Sequence, residues 1–233
     1  MKEIIELYKE SYPFSFFYSR ALNKFKMNKV IENFPIDLDS YELGLSKSQY
    51  EESEICAHFG DIRIDLPIWF GNPKAKKRIA LVGLEPRHTN NKFNLEKKES
   101  FKVNIYGTPF GIEAWNEKDK YYTSFKSVIL DPDTFCYFTD VVKEYEVEES
   151  KKDGDTKARY SFLPKARNEQ NMAFLSKELT LLNPTHLVGL GNKSFEFLSK
   201  NFGTVYNVIK VRHPSYGGQE LARQQLSNLL TII

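Results

Sequence analysis

The sequence predicts an α/β protein, a single three-layer domain around a central, mostly parallel sheet. Three observations carry that expectation. Short β-branched or aromatic runs at 79–84, 135–142, 185–190 and 206–212 read as strands, with helical patterns between most of them. The run at 79–84 lacks apolar–polar alternation, as expected of a strand buried on both faces. Two stretches, RIALVGLEPRH at 78–88 and VIKVRHPSYGG at 208–218, break abruptly from apolar residues into Gly, Pro and charged groups. Such breaks deliver side chains to the carboxyl edge of a sheet, where open α/β folds keep their ligand crevice.

Taken in order, residues 2–33 read as helical, with a break at Pro13 and Phe17, Ala21, Leu22 and Phe25 at helical spacing. A polar connector with a short helix near 46–57 follows. IRIDLPIWFG at 62–71 reads as one strand, ended by the turn signal Asn72-Pro73. Residues 87–107 are polar and long for a connection in a compact domain, which suits an active-site loop. IYGTPFGIEAWN at 105–116 combines Gly, Pro and aromatics, and 119–130 reads as a short helix. The charged stretch 144–158 is expected to be a loop. A helix at 168–182 is expected to turn Met172, Leu175, Leu179 and Leu182 to one face. Helices at 192–200 and 219–232 complete the set. Residues 1–75 are expected to be an N-terminal extension packed on a core of 76–233, the whole forming one domain.

Bulk properties exclude some classes. Of the 233 residues 41% are hydrophobic and 27% charged, which suits a globular chain rather than a disordered one. No apolar run approaches the roughly 20 residues of a membrane span. MKEIIELYKESYPF interrupts its apolar residues with acids, unlike the core of a signal peptide. Cys56 and Cys136 make neither a disulfide framework nor a metal-ligand set, and Cys56–His58 lacks further ligands, so the expectation is a cytoplasmic protein without metal or cofactor. A net charge of +2 does not by itself argue for nucleic acid.

Four segments, in this order, resemble the uracil-DNA glycosylase superfamily. GLEPRH at 83–88 is similar to its first motif, written G-Q-D-P-Y-H in the best-known family. YFTDVVK at 137–143 resembles the middle strand of the iron–sulfur branch, Y-I-T-N-V-V-K. FLSKELTLLNPTHLVGLG at 174–191 resembles that branch's helix and strand, and RHPS at 212–215 resembles the second motif, H-P-S. The likeness covers roughly residues 75–233. It implies a uracil-DNA glycosylase-like fold and a monomeric DNA glycosylase that flips a deaminated or modified base from single- or double-stranded DNA for base-excision repair.

The chemistry explains such residues. Breaking an N-glycosidic bond builds oxocarbenium-like charge on the sugar and negative charge on the departing base. The resemblance assigns Glu85 to the first charge and to the attacking water, and His213 to the second. It gives Gly83 and Leu84 a place beside the base, with the Leu84 N–H as an oxyanion donor. Phe110 is the candidate stacking platform, and Ser215 would grip phosphate. Arg87, His88, Asp140 and Tyr216 complete the expected binding residues. Each has a simpler rival: Glu85 as a cap for the following turn, His88 and His213 as structural histidines, Phe110 as core. His58 and His186 are read as structural.

The departures from the family pattern bear on substrate. Glu85 stands for Asp, and Arg87 for the Tyr that excludes thymine's methyl group. Tyr216-Gly217-Gly218 replaces the segment with the wedge leucine, and the cluster cysteines are missing, so no iron–sulfur cluster is expected. Asp140 stands for an Asn that donates to one base atom and accepts from the next. An ionised Asp only accepts. Three outcomes remain open: Asp140 is protonated by burial, or the pocket takes an edge offering two donors, or the chain is an inactive module that binds nucleic acid or a nucleotide.

Overall fold

The longest uninterrupted apolar runs become the middle of a five-stranded sheet. A computed structural model of the protein describes residues 1–11, 62–85, 104–107, 120–146, 165–215 and 217–232. Helix α1 (Lys2–Ser11) precedes strands β1 (Ile62–Leu66), β2 (Ile68–Phe70), β3 (Lys77–Gly83) and β4 (Asn104–Gly107). Helix α2 (Lys120–Ile129), strands β5 (Thr134–Asp140) and β6 (Glu144–Glu146) and helix α3 (Lys165–Leu182) come next. Strand β7 (His186–Leu190), helix α4 (Asn192–Phe202), strand β8 (Val208–Val211) and helix α5 (Gln219–Ile232) close the chain.

The large sheet runs β2-β5-β3-β7-β8, parallel except for β2, which lies antiparallel on β5. Every residue of β5 is buried, and so are the last five of β3. The lack of alternation follows because helices cover both faces. Ala80, Val82, Phe135, Tyr137 and Leu187 pack with residues of α1, α3 and α4 on one side. Ile79, Leu81, Cys136, Phe138 and Val188 pack with α2 and α5 on the other. The α/β class and the three layers therefore follow from strands whose two side-chain rows are both apolar.

Several expected elements differ in detail. The stretch 62–71 is two strands. Pro67 has no N–H to donate to a ladder, and the chain changes sheets there. β1 joins a second sheet of order β4-β1-β6, whereas β2 joins the large one. Gly71 has φ +83°, and a Cβ on it would lie 2.2 Å from the Thr134 carbonyl oxygen, so this turn past the start of β5 requires glycine. The charged stretch after 143 opens with β6, paired to β1, rather than with a loop. Of the helix expected at 2–33, Lys2–Ser11 is seen, and the remainder lies outside the described residues, as does the connector at 34–60. No described helix is long and apolar enough to cross a membrane.

Helix α3 departs from its expected face at one residue. Met172 is exposed, whereas Asn171, Phe174, Leu175, Glu178, Leu179 and Leu182 are buried. Leu175, Leu179 and Leu182 thus lie on the face the sequence indicated and Met172 does not; the buried set follows helical spacing and includes two polar residues. The reason is a polar cluster inside the core. Glu178 and Lys143 form an ion pair of 2.8 Å with both side chains fully buried. Tyr8 of α1 donates to Glu178 Oε1 at 2.8 Å, Tyr137 of β5 at 2.5 Å and Thr139 at 3.2 Å. Lys143 Nζ also donates to Thr139 Oγ1, and the Lys143 N–H donates to Asn171 Oδ1 at 2.9 Å. The ammonium lies 5.8 Å from the ring centroids of both Tyr8 and Phe174.

A buried charge left alone is costly, whereas a pair removed together costs little. Lys143→Met should therefore destabilise the fold by about 3–5 kcal/mol in urea denaturation. The Lys143→Met/Glu178→Leu double variant should recover most of that loss.

Candidate active site

The parallel strands end on one level. Register places Asp140 of β5 opposite Gly83 of β3, and Leu190 of β7 opposite Val211 of β8. Val82 faces Gly189, so the next rung aligns Gly83 with Leu190. Four carboxyl ends thus form a single row of about 14 Å at ordinary strand spacing. The chain leaves β3 toward β5 on one side and reaches β7 on the other. The row therefore contains the reversal in strand order beside which open α/β sheets bind ligands.

Each loop leaving this row is fastened. The Val141 N–H donates to the Gly83 carbonyl and the Val142 N–H to that of Leu84, both at 3.0 Å. These bonds extend the β3–β5 pairing past the strand ends and hold the turn carrying half-buried Glu85 beside Asp140. On the other side the Gly191 N–H donates to the Val211 carbonyl at 2.8 Å. Gly191 has φ +86°, and a Cβ there would come within 3.2 Å of the His213 Cβ. Buried Ser194 donates to the Val82 carbonyl at 2.6 Å and fixes the start of α4 against the sheet.

His213 is set by its own loop. Its Nδ1 accepts the Ser215 backbone N–H at 3.2 Å and lies 2.6 Å from Ser215 Oγ. A backbone N–H has no alternative but to donate, so Nδ1 presents its lone pair and the ring proton belongs on Nε2. The Arg212 N–H donates to Gln225 Oε1 of α5 at 2.7 Å, and the Gly218 N–H to the Ser215 carbonyl at 3.2 Å. A Cβ on Gly218 would sit 2.1 Å from the His213 carbonyl oxygen, so the loop closes on α5 only with glycine there. Ser215 thereby acts on His213 directly.

Asp140 is fully buried, and among the described residues neither of its carboxyl oxygens has a hydrogen-bond partner. Lys143, the nearest obvious counter-ion in sequence, is paired with Glu178 instead. The Asp140 pKa is raised from 3.8 to about 7: burial raises it most, Lys143 draws it down, and Glu85 and Glu178 push it up. At neutral pH this carboxyl is divided between its acid and ionised forms, and as the acid it both donates and accepts.

The structure thus brings Gly83, Leu84, Glu85, Asp140, His213 and Ser215 to one edge of the sheet. Arg87, His88, Phe110 and Tyr216 lie outside the described residues. His186 lies at the opposite end of β7, beside Thr185. Among the described residues no group of three or more His, Cys, Asp or Glu could hold a metal ion. Lys143 and Glu178 escaped the sequence reading as partners of each other. The available signal was a glutamate at an inward position of an otherwise apolar helix face. No protein-family model and no curated protein matches the chain.

The raised Asp140 pKa has a definite consequence for stability. An unfolded Asp ionises near pH 3.9, whereas the folded one keeps its proton up to about 7. Between those values the folded state binds more protons, so stability falls as pH rises through the window and levels off above it. Asp140→Asn should remove this loss. Urea midpoints measured at pH 5 and pH 8 should favour the variant more strongly at pH 8.

Proposed function

We propose that the protein is a DNA glycosylase-type hydrolase of the uracil-DNA glycosylase superfamily, cleaving the N-glycosidic bond of a deaminated or modified base flipped out of DNA. The observation that carries this reading is the buried Asp140 carboxyl, without a hydrogen-bond partner among the described residues, on the same rung as the loops bearing Glu85 and His213. A buried polar group without a partner is costly, and a ligand edge that completes its hydrogen bonds offsets that cost. The resemblance of GLEPRH, YFTDVVK and RHPS to the family motifs supports the same assignment of roles.

In this reading the flipped base meets Asp140 as a carboxylic acid. Its O–H donates to a ring carbonyl, and its other oxygen accepts from the neighbouring ring N–H. That pattern matches the –C(=O)–NH– edge that deamination creates. As the bond from C1′ to the base nitrogen breaks, its electron pair leaves with the base. His213 Nε2–H and the Leu84 N–H donate to the base oxygen that takes up this charge. Glu85 faces the oxocarbenium-like sugar and orients the water that adds to C1′, accepting its proton. Ser215 holds the His213 tautomer, Phe110 stacks on the base, and Arg87, His88 and Tyr216 contact the base and flanking strand.

A second reading is favoured by the same carboxyl. With Asp140 divided between two forms at neutral pH, the site could bind nucleic acid or a nucleotide without cleaving it. Base release separates the two. On oligonucleotides carrying uracil, hypoxanthine, xanthine or alkylated bases, at least one should yield an abasic product. Glu85→Gln and His213→Ala should each slow that reaction by about 10²–10³-fold. Binding with no abasic product from any of these substrates supports the module and rejects the hydrolase. For the hydrolase, the wild-type rate should fall as pH rises through about 7, whereas Asp140→Asn should lack that descending limb.

A further inference from the structure

Among the described residues, the charges that act on Asp140 are one cation, Lys143, and two acids, Glu85 of the β3 loop and Glu178 of α3. The geometry shows why the cation does not neutralise it. The Lys143 ammonium lies 2.8 Å from Glu178 Oε2 and donates to Thr139 Oγ1. Glu178 Oε1 collects donors from Tyr8, Tyr137 and Thr139. With the ammonium this close to Glu178 Oε2, the Lys143 charge already has a carboxylate partner. Alternate residues of β5 point to opposite faces. Tyr137 belongs to the core beneath α1 and α3, and Phe138 to the core beneath α2 and α5. By the same alternation Thr139 joins the ion pair on the first face, and Asp140 is directed away from it.

We infer that Glu178 is a positioning residue for the site: by holding Lys143, and by being held through Tyr8 of α1, it withholds the counter-ion from Asp140 and so sets the protonation state in which that carboxyl meets its ligand. The N-terminal helix thereby acts on the edge of the sheet from the far side of the core. This inference deepens the reading of Asp140 as the base-reading group and rests on it for its consequence in recognition. The titration itself belongs to the free protein, so its outcome is independent of whether any base is released.

The test is the ionisation midpoint of the Asp140 carboxyl, followed by its carbon-13 shift from pH 4 to 9 in the full chain without DNA. Glu178→Gln leaves the ammonium unopposed and should lower the midpoint by about one unit. Lys143→Met leaves the Glu178 charge unopposed and should raise it. The neutral pair Glu178→Gln/Lys143→Met should return it to within about half a unit of wild type. Should a single variant fail to fold, Tyr8→Phe removes one donor from Glu178 and no charge, loosens its hold on Lys143, and should lower the midpoint measurably. A midpoint that stays at the wild-type value in Tyr8→Phe, or in whichever single variant folds, overturns the inference. So does a double variant that titrates far from wild type.

Discussion

The buried ion pair between Lys143 and Glu178 is the constraint to which the rest of the molecule is fitted. It fastens three separate parts of the chain: α1 through Tyr8, β5 through Tyr137 and Thr139, and α3 through Glu178 itself. Pairs of this kind add little net stability over a well-packed apolar alternative. Their value lies in specificity, because any packing that separates the partners leaves a charge in the core. Here that specificity fixes the rotation of α3, with Glu178 and Asn171 inward and Met172 outward. It also engages Lys143, three residues after Asp140, with Glu178 rather than with the Asp140 carboxyl.

The row of strand ends gives this arrangement its chemical meaning. β3 and β5 bring the Glu85 turn and Asp140 together on one side, and β7 and β8 bring the Gly191 turn and the His213 loop together on the other. The loops are fixed by backbone hydrogen bonds and by glycines that admit close approach, so the functional groups are positioned by the sheet rather than by their own flexibility. One acid in the row is half-buried and one fully buried, and their environments differ accordingly.

Much of this was legible in the sequence, for identifiable reasons. The parallel strands show because burial on both faces leaves unbroken apolar runs, as in Ile79–Val82 and Leu187–Leu190. The site loops show because each strand ends in an abrupt change of composition. The second sheet was not legible. Pro67 inside IRIDLPIWFG could equally mark an edge strand, and the pairing of Glu144–Glu146 with β1 is a long-range contact that a charged segment does not announce. The polar part of the α3 face was hidden because hydrophobic pattern alone admits Met172 and passes over Asn171 and Glu178. Only the buried lysine across the interface accounts for them. The Asp140 environment depends on the same hidden pair, so its place was readable and its protonation was not.

The most direct measurement is a crystal structure of the chain bound to a single-stranded oligonucleotide carrying a cleavage-resistant 2′-fluorinated nucleotide with a uracil or hypoxanthine base. The account predicts the base at the carboxyl edge of the sheet. Its carbonyl and ring N–H should lie within hydrogen-bonding distance of Asp140, with His213 Nε2 on a base oxygen and Glu85 beneath the sugar. A base bound elsewhere, or an Asp140 carboxyl still without a ligand partner while DNA occupies the protein, would contradict it.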